Sequence, residues 1–343
     1  MIWIAWRYQR LVAYALALLA LVIVGFVVVT GEIQHHYMIE FMDAPCHGSE
    51  LDTLARGDLC GRLESRYAQS ANFDVYVKVA GNVIAPLVGA LLGLLALVNE
   101  LDHRTVRLAW TQSVSRSHWF ATKAAVGAST VAVILVPTAI VLSWWNGAIG
   151  DNDIFARQNF GTAGWDLVAY GLFMFALTVL LGVIIRRAGW TLAASVLLFL
   201  VVAVVIPTKA REHLVAPTVH SYSIGATMGK GTVASYSEPF PRNAWLLVDG
   251  MVARPIHGTP SWREVLRTQV NVEHCMSRSP RRTHNEVIKV QSQCYRTLHV
   301  ENVSVYIGTN QFWTLQMREG LLYLVFGAVL LAGAWAYVRR IEP

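Results

Sequence analysis

Apolar and polar positions are distributed along this chain in long blocks. Leu11 to Val29, Val79 to Val98, Trp119 to Leu142, Trp165 to Ile185, Gly189 to Ile206 and Gly320 to Val338 are dominated by aliphatic and aromatic residues. Each is close to the ~20 residues that a helix needs to cross ~30 Å of hydrocarbon. Lipid offers no partner to backbone N–H and C=O groups, so helices that satisfy them internally are the natural answer. The pattern predicts an all-α polytopic membrane protein with six transmembrane helices. It divides the chain into 1–206, with five spans and an outer loop at 31–77; 207–318, a small extracellular subdomain; and 319–343, the sixth span and a tail. Within 207–318, Thr208 to Arg242 is rich in Gly, Ser and Pro and predicts irregular structure. Ser261-Trp-Arg-Glu264 has capping-box spacing and predicts a helix from Trp262 toward Cys275. Val303, Val305 and Ile307 alternate, a partial strand signal.

Composition agrees. With 55% hydrophobic and 15% charged residues in 343, the chain is too apolar for one soluble domain; ordinary globular chains carry roughly a quarter charged residues.

The few charges orient the spans. Arg7 and Arg10 precede span one; Arg104, Arg107, Arg116 and Lys123 lie between or just inside spans two and three; Arg186 and Arg187 separate spans four and five; Arg339 and Arg340 follow span six. The alternate loops differ: 31–77 has eight acids against three arginines. Both termini are therefore expected in the cytoplasm, in a multi-pass membrane protein.

All four cysteines fall on the side assigned as exterior, where disulfides persist. Of three possible pairings, Cys46–Cys60 and Cys275–Cys294 are the simplest, each contributing roughly 3 kcal/mol by restricting a short loop; four free thiols are the alternative. Span one lacks a small-x-small cleavage site after Thr30 and reads as an anchor. Ahead of it, Trp3, Trp6 and Tyr8 alternate with Arg7 and Arg10. This segment either lies in the headgroup layer or forms an aromatic collar on span one.

Several chemistries are tested and set aside. Gly225-Ala-Thr-Met-Gly229-Lys230-Gly-Thr232 resembles a phosphate loop but is too short between its glycines and has Gly231 where a magnesium-binding hydroxyl belongs. His274, Cys275, His284, Cys294 and His299 fit no zinc spacing, and His35-His36 cannot converge on one metal, so no metal site is expected. No metalloprotease helix or nucleophile elbow occurs. No span carries two central carboxylates, which argues against a proton-driven pump; Asp166 and Glu319 are placed at membrane boundaries. The 209–318 segment has thirteen Lys and Arg against seven acids, a surface that is simply solvated or that attracts anionic lipid.

Three residues mark a possible substrate pathway: Asn82 and Pro86 of span two, and Glu319 at the start of span six. Pro86 and Pro137 kink their spans, more often for shape than as hinges. Asn82 is more readily explained by a hydrogen bond between helices.

The densest polar stretch on the inner side is Glu100-Leu-Asp-His-Arg-Thr-Val-Arg-Leu-Ala-Trp-Thr-Gln-Ser-Val-Ser-Arg116, followed by Trp119 and Lys123. It is similar to the inner loop of one branch of the permease subunits of bacterial ABC exporters of the ABC-2 type, Glu-x-Glu-x-Gly-Thr-x-Arg-x-Ala-Trp-Thr-Gln-Ser-Val-x-Arg. Trp6-Arg-Tyr-Gln-Arg10 resembles that branch's start, and Phe312-Trp313-Thr-Leu-Gln316 with Glu319 its approach to the last span; Asn243-Ala-Trp-Leu246 also looks familiar. The resemblance touches the start, middle and end of the chain. Arg104 replaces the usual Gly, Asp102 a Glu, and Ile307-Gly308 a Gln-Pro; the first of these bears on the turn of the loop and on the coupling geometry, not on the family.

The resemblance implies a half-transporter. Two permease copies, as homodimer or related heterodimer, would pair in the lipid, and a separate cytoplasmic ATPase subunit would dock under each. ATP and Mg would be bound by that partner, with no cofactor in this chain and no nucleic-acid partner. Glu100, Arg104, Arg107, Trp110 and Arg116 would form or flank the coupling helix. The expected function is ATP-driven export of an amphipathic, drug-like or lipid-like substrate by alternating access. The alternative is mechanotransmission or sensing through the extracellular subdomain without transport. A membrane enzyme is disfavoured, because no convergent acid, base or metal set is visible.

Overall fold

The computed structural model describes residues 2–43, 55–98, 115–148, 154–162, 164–223, 243–253, 293, 297 and 300–340. They fall into two compact units, 1–208 with 316–343, and 209–315.

The first unit is helical. α1 (Ile2–Asp43), α2 (Ala55–Gly93), α3 (Arg116–Ala148), the short α4 (Arg157–Phe160), α5 (Gly164–Ile185), α6 (Ala188–Val205) and, across the unit boundary, α8 (Phe312–Arg340) follow in chain order. Six of them are long and apolar enough to cross a membrane. Two of these run well past their apolar blocks. α1 continues to Asp43 and α2 begins at Ala55, so much of the 31–77 stretch expected as an outer loop is helix. Apolarity is needed only inside the lipid. Beyond it, Glu32, His36, Glu40 and Asp43 stand exposed while the backbone goes on satisfying itself. At the other end α1 starts at Ile2, so the Trp-Arg segment is a collar on span one, with the Arg7 guanidinium 5.1 Å over the Trp3 ring.

Packing inside the unit is organised around α5. Its apolar window is 67% buried, against 22% for those of α1, α6 and α8. α2 and α5 run parallel and touch through small residues. A Cβ placed on Gly89 would lie 2.2 Å from the Gly171 carbonyl oxygen and 3.0 Å from the Phe175 amide nitrogen. One turn on, a Cβ on Gly93 would meet Thr178 Cβ at 2.9 Å; two turns before Gly89, one on Gly81 would meet the Thr162 side chain at 2.8 Å. Gly81, Ala85, Gly89 and Gly93 recur every fourth residue and form one stripe. Lipid tails are as apolar as leucine, so close packing of small residues, rather than hydrophobicity, holds such helices together. On another side of α5, Gly320, Gly327 and Gly333 of α8 meet Asp166 and Ala169, then Phe173 and Ala176, then Leu180. α2, α5 and α8 therefore point the same way through the membrane. Between α5 and α6 the chain reverses on Arg186 and Arg187, with Arg186 in the left-handed region (φ 57°) and its N–H closing α5 on the Gly182 carbonyl at 2.9 Å.

The second unit corrects the all-α expectation. After a π turn (Ile206–Ala210) and the short α7 (Arg211–Leu214) come β1 (Thr218–Ser223), β2 (Trp245–Ala253) and β3 (Val300–Ile307), forming an antiparallel sheet in the order β1-β3-β2. Val303 and Val305 on the central strand bury against Val248, Val219 and Leu247, the alternation that read only partly as a strand. β2 escaped notice because Trp245-Leu-Leu-Val248 is a continuous apolar run with no period. The register slips between Leu246 and Val248, which accommodates that run. The helix predicted from Trp262 toward Cys275 lies outside the described residues.

The stripe yields a test. Gly89→Ala should push α2 and α5 apart and lower stability by about 1–3 kcal/mol, read as a fall in the unfolding temperature of the purified protein. Gly25→Ala, where a Cβ meets nothing within 4 Å, should leave it near wild type.

Candidate functional site

Two polar regions punctuate the apolar bundle, at opposite ends of the α2–α5 pair. Of the residues expected at the ATPase contact, Glu100, Arg104, Arg107 and Trp110 lie outside the described residues, and Arg116 begins α3. Both flanks of the cassette are described. α2 ends in a π turn, Leu94–Val98, just before it. A π turn breaks the regular ladder, and such turns are frequent at functional positions. On the far flank Ser115 caps α3, its Oγ accepting from the His118 amide at 3.3 Å and its carbonyl from the Trp119 amide at 3.0 Å. Trp119 and Lys123 then turn into the bundle, both buried, with the ammonium 5.4 Å from the ring centroid. The lysine side chain so placed sets its amine against an aromatic face. The exposed pairs Trp3–Arg7 and Trp335–Arg339 repeat this i, i+4 spacing on α1 and α8.

The second region lies at the opposite end, where α5 and α8 begin. Glu319 is fully buried, and Tyr170 Oη donates a hydrogen bond to its Oε1 at 3.1 Å. Asp166, one turn before Tyr170, is also fully buried and lies beside Gly320. Gln316 Nε2 donates to the Phe160 carbonyl at 3.0 Å, tying α8 to the α4 turn. Around the carboxylates the rings form a connected lattice. Tyr170 and Tyr323 meet edge-on at 4.6 Å, Phe173 and Tyr323 at 5.5 Å, and Phe199 of α6 joins both Tyr170 and Phe173 at 6.4 Å. Three spans thus share one aromatic and acidic cluster. A carboxyl group kept in so dry a place is costly and marks a functional position by default.

Glu319 was legible in the sequence as a boundary residue, but its burial and its partner were not. Asp166, Tyr170, Gln316 and Tyr323 were missed as a set. The available signal was spacing: Asp166, Tyr170 and Phe173, and Gln316, Glu319 and Tyr323, each occupy one helix face. The other two pathway candidates lie elsewhere, on α2. Asn82 donates from Nδ2 to the Lys78 carbonyl of its own helix at 2.8 Å, with Oδ1 beside Gly161; Pro86 is half-buried. Asn82 therefore bonds at least in part within its own helix rather than only across to a neighbour. Cys60, on α2, is not a free thiol; Cys46, Cys275 and Cys294 lie outside the described residues, as do His274, His284 and His299. Among the described residues no three His, Cys, Asp or Glu side chains converge as metal ligands.

Tyr170→Phe should cost about 1–2 kcal/mol by removing a donor from a buried carboxyl group, whereas Glu319→Gln, which keeps an acceptor oxygen, should cost less. Thermal unfolding of both variants in the same lipid decides this, and a silent Tyr170→Phe would show that the bond holds nothing together.

Six membrane-spanning helices, a polar cassette between the second and third, and a glycine-packed central helix describe a polytopic membrane protein. No curated protein and no solved structure matches the chain. A family model described as ABC-2 membrane transporter related matches residues 16–211, more than half of the chain, including the cassette, the glycine stripe and α5. This multi-pass membrane protein belongs to the ABC-2 membrane transporter-related family.

Proposed function

We propose that the chain is the membrane subunit of an ATP-driven exporter, working as two permease copies with a separate ATPase bound to each. The reading is supported by the family match and by where the cassette is attached. It follows directly on α2, whose glycine stripe locks it to the most buried span, and it precedes α3, whose first turns bury Trp119 and Lys123. A push on residues 99–115 is therefore delivered to two helices at once. α2 carries it to α5, and α5 shares the Glu319–Tyr170 cluster with α8 at the opposite end. With Arg7, Arg10, Arg186, Arg187, Arg339 and Arg340 on the cassette side, that side is cytoplasmic and both termini are inside. ATP closure of the partner subunits moves the cassette, and the parallel trio α2, α5 and α8 tilts toward an outward-open arrangement. Glu100, Arg104, Arg107 and Arg116 supply charges for the ATPase surface, and Trp110 an apolar anchor. The transported molecule is an amphiphile, and Glu319 and its aromatic surround lie on its route.

In vesicles holding the chain with its ATPase, Glu100→Gln should leave ATP hydrolysis running while abolishing ATP-dependent movement of an amphipathic dye. Unchanged coupling in that variant removes the cassette from the mechanism.

The outer cysteines pair as Cys46–Cys60 and Cys275–Cys294 in this reading, supported for the first pair by the engaged state of Cys60. Cys60→Ser should release one thiol that an impermeant maleimide labels on intact cells; labelling of Cys46 in the unreduced parent protein refutes the pair.

A further inference from the structure

α5 and α8 bring two pairs of arginines to one end of the bundle. Along their contact Gly320 meets Asp166, Gly327 meets Phe173, and Gly333 meets Leu180, where a Cβ would lie 3.8 Å from Cδ1. Both helices run the same way, so equal steps beyond Gly333 and Leu180 stay level. Six residues on, about 9 Å along each axis, Arg339-Arg340 ends α8 and Arg186-Arg187 follows the end of α5. Helices packed together have axes about 8–10 Å apart, a gap that arginine side chains span from either side. All four arginines are exposed, and among the described residues no carboxylate pairs with any of them. The one acid on each helix, Asp166 and Glu319, lies twenty residues back, about 30 Å away. α6, which follows Arg187, has none; Glu342, after α8, lies outside the described residues. Topology asks only for cations on this side. It does not ask for two pairs level with each other on adjoining helices that carry no acid nearby.

We propose that these four arginines dock a membrane lipid whose headgroup carries two phosphodiester groups. One phosphate lies on Arg186 and Arg187, the other on Arg339 and Arg340. A guanidinium presents a planar fork of N–H donors that matches phosphate oxygens, and it stays charged throughout the physiological range. The surroundings select a lipid over a soluble acidic partner. Trp190, 68% exposed, follows Arg187 by three residues. Trp335, 38% exposed, lies one turn before Arg339, its ring centroid 4.7 Å from that guanidinium. Exposed indoles concentrate where lipid meets water, which puts the arginines at headgroup level. Ile184 and Val329, exposed on the membrane side of the arginines, offer acyl chains an apolar bed. The site is at the opposite end of α5 and α8 from the Glu319 cluster, and it stands whether or not the cassette couples to an ATPase.

Binding is read on the full chain in neutral detergent micelles, as the rise in unfolding temperature with added cardiolipin. Parallel titrations use phosphatidylglycerol at equal phosphate, phosphatidylcholine, inorganic pyrophosphate and polyglutamate. Cardiolipin should give a saturable rise at a phosphate concentration about tenfold below that needed with phosphatidylglycerol, because its second phosphate binds as a tethered neighbour. Phosphatidylcholine should give none. Arg187→Gln, and separately Arg339→Gln with Arg340→Gln, should each bring the two anionic lipids to within about twofold, since either change leaves one phosphate poorly held. Arg7→Gln with Arg10→Gln removes charge from α1 instead and should keep the preference. Without lipid all these variants should unfold at the parent temperature, because the arginines are exposed. A clear fall there in the α5 or α8 variants would reveal an internal partner for them and overturn the proposal. So would equal half-points for the two anionic lipids in the parent, survival of the preference in the α5 and α8 variants, or its loss in the α1 variant. A stronger response to pyrophosphate or to polyglutamate than to cardiolipin would also overturn it, assigning the patch to a free anion or to an acidic protein.

Discussion

Backbone against backbone, where Gly89 meets Gly171, is the contact on which this bundle depends. In water, two apolar helices are driven together by the solvent they expel. In lipid that drive is absent, and what remains is dispersion between atoms that approach closely, which requires side chains small enough to permit it. Gly81, Ala85, Gly89 and Gly93 provide that on α2, and Gly320 and Gly327 provide it on α8. Packed against both, α5 is the most buried of the candidate spans.

That constraint gives meaning to the features at the two ends. At one end α2 loses its regular ladder in a π turn at the edge of the cassette, and α3 starts on a capped turn with a buried tryptophan and lysine. At the other, α5 and α8 share a hydrogen bond between Tyr170 and Glu319 inside a lattice of rings that also takes in α6. The stiff seam joins two places where the structure is less regular and more polar.

Several features were already visible in the order of residues. Blocks of ~20 apolar residues announce spans because bilayer thickness sets their length. The Glu100–Arg116 stretch carries the family resemblance that the match over residues 16–211 agrees with. The β2 strand was hidden, since a strand apolar on both faces has no period to read. The extensions of α1 and α2 beyond their apolar blocks were hidden too, because their exposed charges look like loop composition.

What the sequence alone determined is therefore what depends on each segment's own meeting with its solvent: which stretches are long and apolar enough to lie in lipid. The tertiary structure decided what depends on two segments at once. It set Gly89 against Gly171, Glu319 against Tyr170, and two tryptophans around Gly31. A glycine in a membrane helix reads the same whether it faces lipid or another backbone, and a carboxyl group reads the same at a headgroup or in a sealed cluster. Only the neighbouring helix distinguishes them, because the energies involved arise from distances of a few ångströms between residues far apart in the chain.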